Sequence, residues 1–233
     1  MSAGSSHPGG ALPSWAAVSV PYRIRRSDRA RRIRVSVGND GEVEVVLPRR
    51  SPERHAEEAV KQLGPWIEQR RRAVARAVSD MRRAPGTVPY LGETLRLVPD
   101  AGRTRVHRRG DTLLVPAHDM EEALERWYRA RARVEVGVRL DAAVARYGTS
   151  YTTLTIRGQR TRWASRSSSG GMSFNWRLLL APPEILDYVV EHEVAHIEVM
   201  DHSPRFWRLL ASRSPRWREH SAWLKRYGST LTL

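Results

Sequence analysis

Apolar residues recur along this chain with two different periods, and the change of period divides it. Between residues 21 and 47 apolar and polar positions alternate, with Tyr22, Ile24, Val35, Val37, Val43 and Val45 set among arginines and glutamates. This period of two predicts strands, joined through a hairpin turn at Asn39-Asp40-Gly41. Ser51-Pro52-Glu53 opens a helix that Gly64-Pro65 interrupts, and a second helical stretch runs towards Arg83. Further strands are expected at 90–98 and 113–115. Asp119, with Glu122 three positions on, reads as the cap of a long helix that Gly148 ends. Alternation then returns at 151–157, 159–163 and 172–175 before a last helical region. The chain therefore reads as α+β. A disordered tail is expected over 1–18, an α+β N-terminal region over 19–118, and a core over 119–233 made of a long helix, a small antiparallel sheet and C-terminal helices.

The helix after Pro182-Pro183 is unusual in its circumference. A proline suits its first turn, and Glu184 there complements the helix dipole. Ile185, Leu186, Tyr188, Val189, Val190, Val194, Ile197 and Val199 cover most faces, so the helix is expected to be largely buried. Glu184, Asp187, Glu191 and Glu198 share one stripe, read as solvated. Glu193 lies roughly 200° from Glu191 about the axis. A carboxylate there is expected to be buried and in need of a partner.

His192-Glu193-Val194-Ala195-His196 supplies one. Imidazoles four apart lie on one helix face, roughly 6 Å apart along the axis, and can reach one metal ion. A third candidate is His202. On a continuous helix it would lie roughly 240° around the axis from His196. Met200-Asp201-His202-Ser203-Pro204 instead reads as a helix end followed by a new start, with Ser203 as N-cap and Pro204 at N1. Such a turn brings His202 back to the first pair. Three protein ligands with one open position suit a catalytic zinc ion. Glu219 and His220 are the competing third ligands, ranked below His202. The bland alternative is two ordinary core histidines, with Glu193 paired to an arginine. Trp163, Trp176, Trp207, Trp217, Trp223 and Tyr188 are read as core packing rather than as a platform for substrate.

Arg162-Trp163-Ala164-Ser165, Asn175-Trp176-Arg177-Leu178, Ala181-Pro182-Pro183, the His192 to His196 run and His202-Ser203-Pro204-Arg205-Phe206-Trp207 together resemble the YgjP-like metal-dependent hydrolases, a family allied to the SprT-like and WLM zinc metallopeptidases. The likeness runs over about residues 22–227. It implies a zincin-like minimal core, one zinc ion on His192, His196 and His202, and Glu193 as general base. By the same resemblance the strand near Trp163, with Ala164 and Ser165, is the candidate substrate-binding edge. The chain departs from the family's R-W-G-S-C pattern, carrying Ala164 and Arg166 in place of the glycine and cysteine.

Composition narrows the remaining choices. The absence of cysteine excludes disulfides and thiol catalysis. No apolar run approaches the ~20 residues of a membrane helix, and residues 1–18 have neither a basic start nor a continuous apolar stretch. No membrane partner is expected, and a cytoplasmic location is. Of the 40 basic residues all but two are arginine, giving a net charge of +15. Runs such as Arg29, Arg31, Arg32, Arg34 and Arg70, Arg71, Arg72 could follow phosphates. The preferred reading is an arginine-rich surface, because no nucleic-acid-binding motif accompanies the charge. Hydrolysis of a peptide or protein by a metallopeptidase is the first functional expectation. A metal-dependent nucleotide phosphohydrolase is the second, and a basic nucleic-acid-binding module with a structural metal the third.

Overall fold

The computed structural model describes residues 20–38, 40–159 and 162–233. The tail expected over 1–18, Asn39 of the hairpin turn, and Arg160 and Thr161 lie outside the described residues. The chain packs as one compact unit ending at Ala75 and a second from Arg76 to Leu233.

In the first unit, strands β1 (Tyr22–Ser27), β2 (Arg34–Val37) and β3 (Val43–Pro48) form a sheet in the order β1-β3-β2. β2 and β3 are the antiparallel pair expected from the alternation, with Arg34 opposite Val46, and β1 lies parallel to β3. Helix α1 (Arg54–Gln62) follows, and Gly64 starts α2 (Gly64–Asp80). Val43, Val45, Leu47, Ala56, Val60 and Ile67 are buried together as this unit's core.

The second unit begins with β4 (Thr87–Tyr90), β5 (Glu93–Asp100), β6 (His107–Arg109) and β7 (Thr112–Pro116), in the order β4-β5-β7-β6. The single strand expected at 90–98 is interrupted by a tight turn, with Leu91 at φ 47° and Gly92 at φ 84°. Two left-handed residues in succession match the twist of a hairpin. Leucine tolerates that backbone here because its N–H donates to the Leu179 carbonyl at 2.8 Å. The sequence places a division between 118 and 119. In the structure Val88, Tyr90, Leu95, Leu113 and Val115 of this sheet share a core cluster with the long helix that follows, and the second unit includes both.

That helix, α3 (Met120–Tyr147), buries Leu124, Tyr128, Ala132, Val136 and Leu140, a stripe repeating every four residues. Gly148, at φ 61°, ends it as expected. Asp119 precedes it in a left-handed conformation and makes no side-chain cap, so the expected capping box with Glu122 is not formed. Strands β8 (Thr153–Arg157), β9 (Ala164–Arg166) and β10 (Gly171–Asn175) form a sheet ordered β8-β10-β9. β8 runs parallel to β10 and β9 antiparallel, so the sheet is mixed rather than wholly antiparallel. The strand expected at 159–163 instead forms at Ala164–Arg166. A 3-10 turn (Trp176–Leu180) leads to α4 (Pro183–Glu198), then α5 (Pro204–Arg213) and α6 (Trp217–Tyr227).

α4 runs through the middle of this unit. Ile185, Leu186, Val189, Val190 and Val194 are buried. Its acidic stripe is not simply solvated. Arg139 of α3 donates to Asp187 at 2.7 Å, Arg146 to Glu191 at 3.1 Å, and Arg213 of α5 pairs with Glu198. The Glu191 side chain is only 12% exposed, so this face is an ion-paired seam.

Candidate metal centre

α4 carries His192, Glu193 and His196, and its end brings in the third histidine. Val199 leaves the helix in an extended conformation, and Pro204 starts α5 at its first position. Ser203 is the residue before α5, as expected, but its side chain makes no capping bond; its N–H donates to Asp201 at 3.3 Å. This reversal returns His202 to the α4 face. His192, His196 and His202 each offer a ring nitrogen, and the three atoms lie within 4.8 Å of one another. The Nε2 atoms of His192 and His202 are 3.1 Å apart.

The competing ligands lie elsewhere. Glu219 accepts from Arg216 at 2.8 Å. His220 sits against the Tyr188 ring, centroids 5.9 Å apart, and is not in the three-histidine group. Trp176 and Tyr188 are buried, and Trp163, Trp207, Trp217 and Trp223 pack half-buried against the core, as expected of structural aromatics.

Phe206 was not singled out as a site residue by spacing or charge, yet it forms the floor of this cluster. Its ring is fully buried and stacks on His196 at 4.4 Å, with His192 at 4.9 Å and His202 at 4.8 Å. Its signals in the sequence are its place in the first turn of α5, two residues after Pro204, and its membership of the His202 to Trp207 stretch that carries the family resemblance.

Burial governs the titration of these groups. His192 is pushed down to about 3, first by loss of water and then by the charges of His196 and His202. His196 is also lowered, chiefly by burial, with His202 and Arg166 acting in the same sense. Both imidazoles therefore stand neutral at pH 7, the form that binds metals. The His196 Nδ1–H can donate to the Val199 carbonyl at 3.0 Å, which leaves Nε2 with its lone pair free. Burial alone pushes Glu193 up to about 7.

The donor set fits a metal ion. Three imidazoles converge, and His192 Nδ1 and Glu193 Oε2 are buried without a hydrogen-bond partner. Ligand nitrogens about 3.3 Å apart surround a tetrahedral zinc ion with bonds of ~2.0–2.1 Å. The His192–His202 separation is already close to that.

The candidate substrate edge adjoins α4. Ala164 and Ser165 lie on β9, an edge strand that pairs with β10 through Phe174 and Ser173. Asn175, buried at the end of β10, positions the chain leading into this edge. Its Nδ2 donates to the carbonyls of Gln159 at 2.6 Å and Arg162 at 3.3 Å, and its backbone N–H donates to Trp163 at 2.7 Å. The Trp163 ring lies over Gly228, where an added Cβ would come within 2.7 Å of it.

The YgjP-like family model, a metallopeptidase domain, matches residues 31–227. This chain belongs to the YgjP-like metallopeptidase family. It is a metal-dependent hydrolase, and the three-histidine cluster lies inside the matched region. No curated protein gives a significant match. Two solved metallopeptidase zymogens are similar over 39% of this chain and 93% of their own: jannalysin of Methanocaldococcus jannaschii, 15% identical with a TM-score of 0.35, and abylysin of Pyrococcus abyssi, 24% identical with a TM-score of 0.33. No helix among the described residues is long and apolar enough to cross a membrane.

Proposed function

We propose that this YgjP-like protein is a zinc peptidase in which His192, His196 and His202 hold one ion and Glu193 is the general base. The observation that carries the reading is a buried, unpartnered carboxylate adjoining three convergent imidazoles. Imidazole nitrogen donors suit zinc. Bound there, zinc supplies Lewis acidity, lowering the pKa of water towards ~7 and polarising the scissile carbonyl.

The chain's own residues do the rest. Glu193 Oε2, free of other partners, takes a proton from the attacking water and returns it to the leaving amine nitrogen. Its raised affinity for protons suits it to both halves of that transfer. The Val199 carbonyl fixes the tautomer of His196, and the Phe206 ring stacks on His196 and packs edge-on against His192 and His202. The free edge of β9, at Ala164 and Ser165 after Trp163, is suited to receive an extended peptide as an added strand. Among the described residues no fourth titratable side chain joins the three histidines, which favours an open catalytic site over a closed structural one.

The test combines metal analysis with catalysis. Wild-type protein should hold about one zinc per chain, and His196→Ala and His202→Ala should each lose most of it. Glu193→Gln should keep the metal and lose at least about a hundredfold in hydrolysis of unstructured protein. Stoichiometric zinc in both histidine variants would refute the ligand assignment. Magnesium-dependent turnover of nucleoside triphosphates, abolished by Glu193→Gln and without cleavage of casein, would replace peptide with nucleotide as substrate.

A further inference from the structure

β9 ends on a charge that the proposed chemistry does not use. Arg166 lies on the edge strand, opposite Met172 of β10. It is half-buried, and its Nε is shut off from water without a hydrogen-bond partner. Its Nη1 donates to the thioether of Met200, a weak acceptor. Many arginines in this chain sit within 4 Å of a carboxylate; among the described residues Arg166 does not. Its charge is felt at the histidine cluster, where it acts on His196.

A guanidinium in that position carries two costs. It is partly stripped of water without a strong acceptor in return. Loading the three imidazoles with a divalent cation then adds a like charge beside it. Both are relieved by one kind of ligand, an anion that lies along β9 and reaches the guanidinium. The fork of an arginine matches a carboxylate in two parallel hydrogen bonds.

We propose that Arg166 is a specificity-determining residue that binds a carboxylate of the peptide lying along β9. The inference rests on the peptidase reading above. The carboxylate belongs either to an Asp or Glu side chain or to the peptide's own C-terminus, and both present the same group to the guanidinium. Arg166 is neither a metal ligand nor a proton carrier; it selects which peptides lie productively beside Glu193.

Three peptide hydroxamates of one backbone length separate the possibilities: neutral with an amidated end, glutamate-containing with an amidated end, and neutral with a free carboxylate end. Their binding to zinc-loaded full-length protein is measured by calorimetry. One of the two acidic probes should bind at least about tenfold more tightly than the neutral one, an advantage that shrinks with added salt. Arg166→Gln should cut the ratio of acidic-probe to neutral-probe affinity below about threefold, a ratio in which any common effect on the hydroxamate cancels, and Arg166→Lys should keep part of the advantage. The glutamate probe winning identifies a side chain as the ligand; the free-end probe winning identifies the terminus. With its like charge removed, Arg166→Gln should also bind zinc a few-fold more tightly in a chelator competition. Equal affinity for all three probes, or an acidic preference that survives in Arg166→Gln, would overturn the inference and leave the peptidase reading intact. Zinc-loaded protein that binds none of the three would overturn both.

Discussion

At Glu193 the folded chain holds a carboxyl group with no hydrogen-bond partner for Oε2, and the cost depends on pH. Burial raises its pKa from 4.5 to about 7. The folded state therefore binds that proton more tightly than the unfolded chain does. The resulting stability is fully present below pH 4.5 and is lost as pH rises through 7. His192 has the opposite sign: lowered from 6.5 to about 3, it contributes above pH 6.5 and is lost as pH falls. Comparing Glu193→Gln with wild type cancels the histidine and isolates the carboxyl. In chelator-treated protein the variant should gain about 2–3 kcal/mol on wild type in going from pH 4 to pH 8, read by urea unfolding. A gain that does not change with pH would mean that Glu193 is solvated. A second residue-scale expectation concerns Gly228, which has an ordinary helical φ of −55°. Gly228→Ala should cost about 1–3 kcal/mol, because its Cβ would drive into the rigid indole of Trp163.

Elements whose signal is local were readable from sequence, and those fixed by distant bonds were not. The long helix ending at Gly148 and the apolar helix of the histidine pair needed only their own periodicity. The break after His196 was legible because Ser203-Pro204 announces a new helix. The turn at Leu91-Gly92 was not, since a leucine there runs against propensity and is held by Leu179, far along the chain. β9 was misplaced for a related reason. The alternation at 159–163 resembles a strand, but Asn175 ties the Gln159 and Arg162 carbonyls and so delays pairing until Ala164. Phe206 stayed hidden because an apolar residue in the first turn of a helix gives no sign of what it faces. Removing the tie offers a test at this scale. Asn175→Ala should raise amide exchange over 162–166 by tenfold or more, about 1.4 kcal/mol or greater, while metal content is retained. Unchanged exchange there would mean that Asn175 does not position the edge.

Across the whole molecule the dominant quantity is the charge of +15. Ion pairs such as Arg23 with Glu42, Arg25 with Glu44, Arg49 with Asp28 and Arg126 with Glu122 are exposed, and they leave the excess of bases over acids untouched. Each contributes little to stability, and the expectation from the uncompensated excess is attraction of polyanions without selectivity. Heparin and duplex DNA should bind alike, be released by a few hundred millimolar salt, and bind equally to wild type and His196→Ala. Sequence-selective DNA binding that requires the metal would reverse that expectation and favour a nucleic-acid role.

The aromatic floor beneath the histidines has a consequence for how the protein matures. A zinc finger cannot fold until its ion arrives, because its ligands are ordered only by the metal. Here Phe206 and the surrounding core pack against the rings of His192 and His196, with the exposed His202 ring beside them. Much of the order that the ion needs is therefore in place once the chain folds. Under the proposed ligation, synthesis and activation should separate: chelator-treated protein is expected to keep its fold and to regain hydrolysis when metal is added, with the ion that enters decided by supply as much as by affinity.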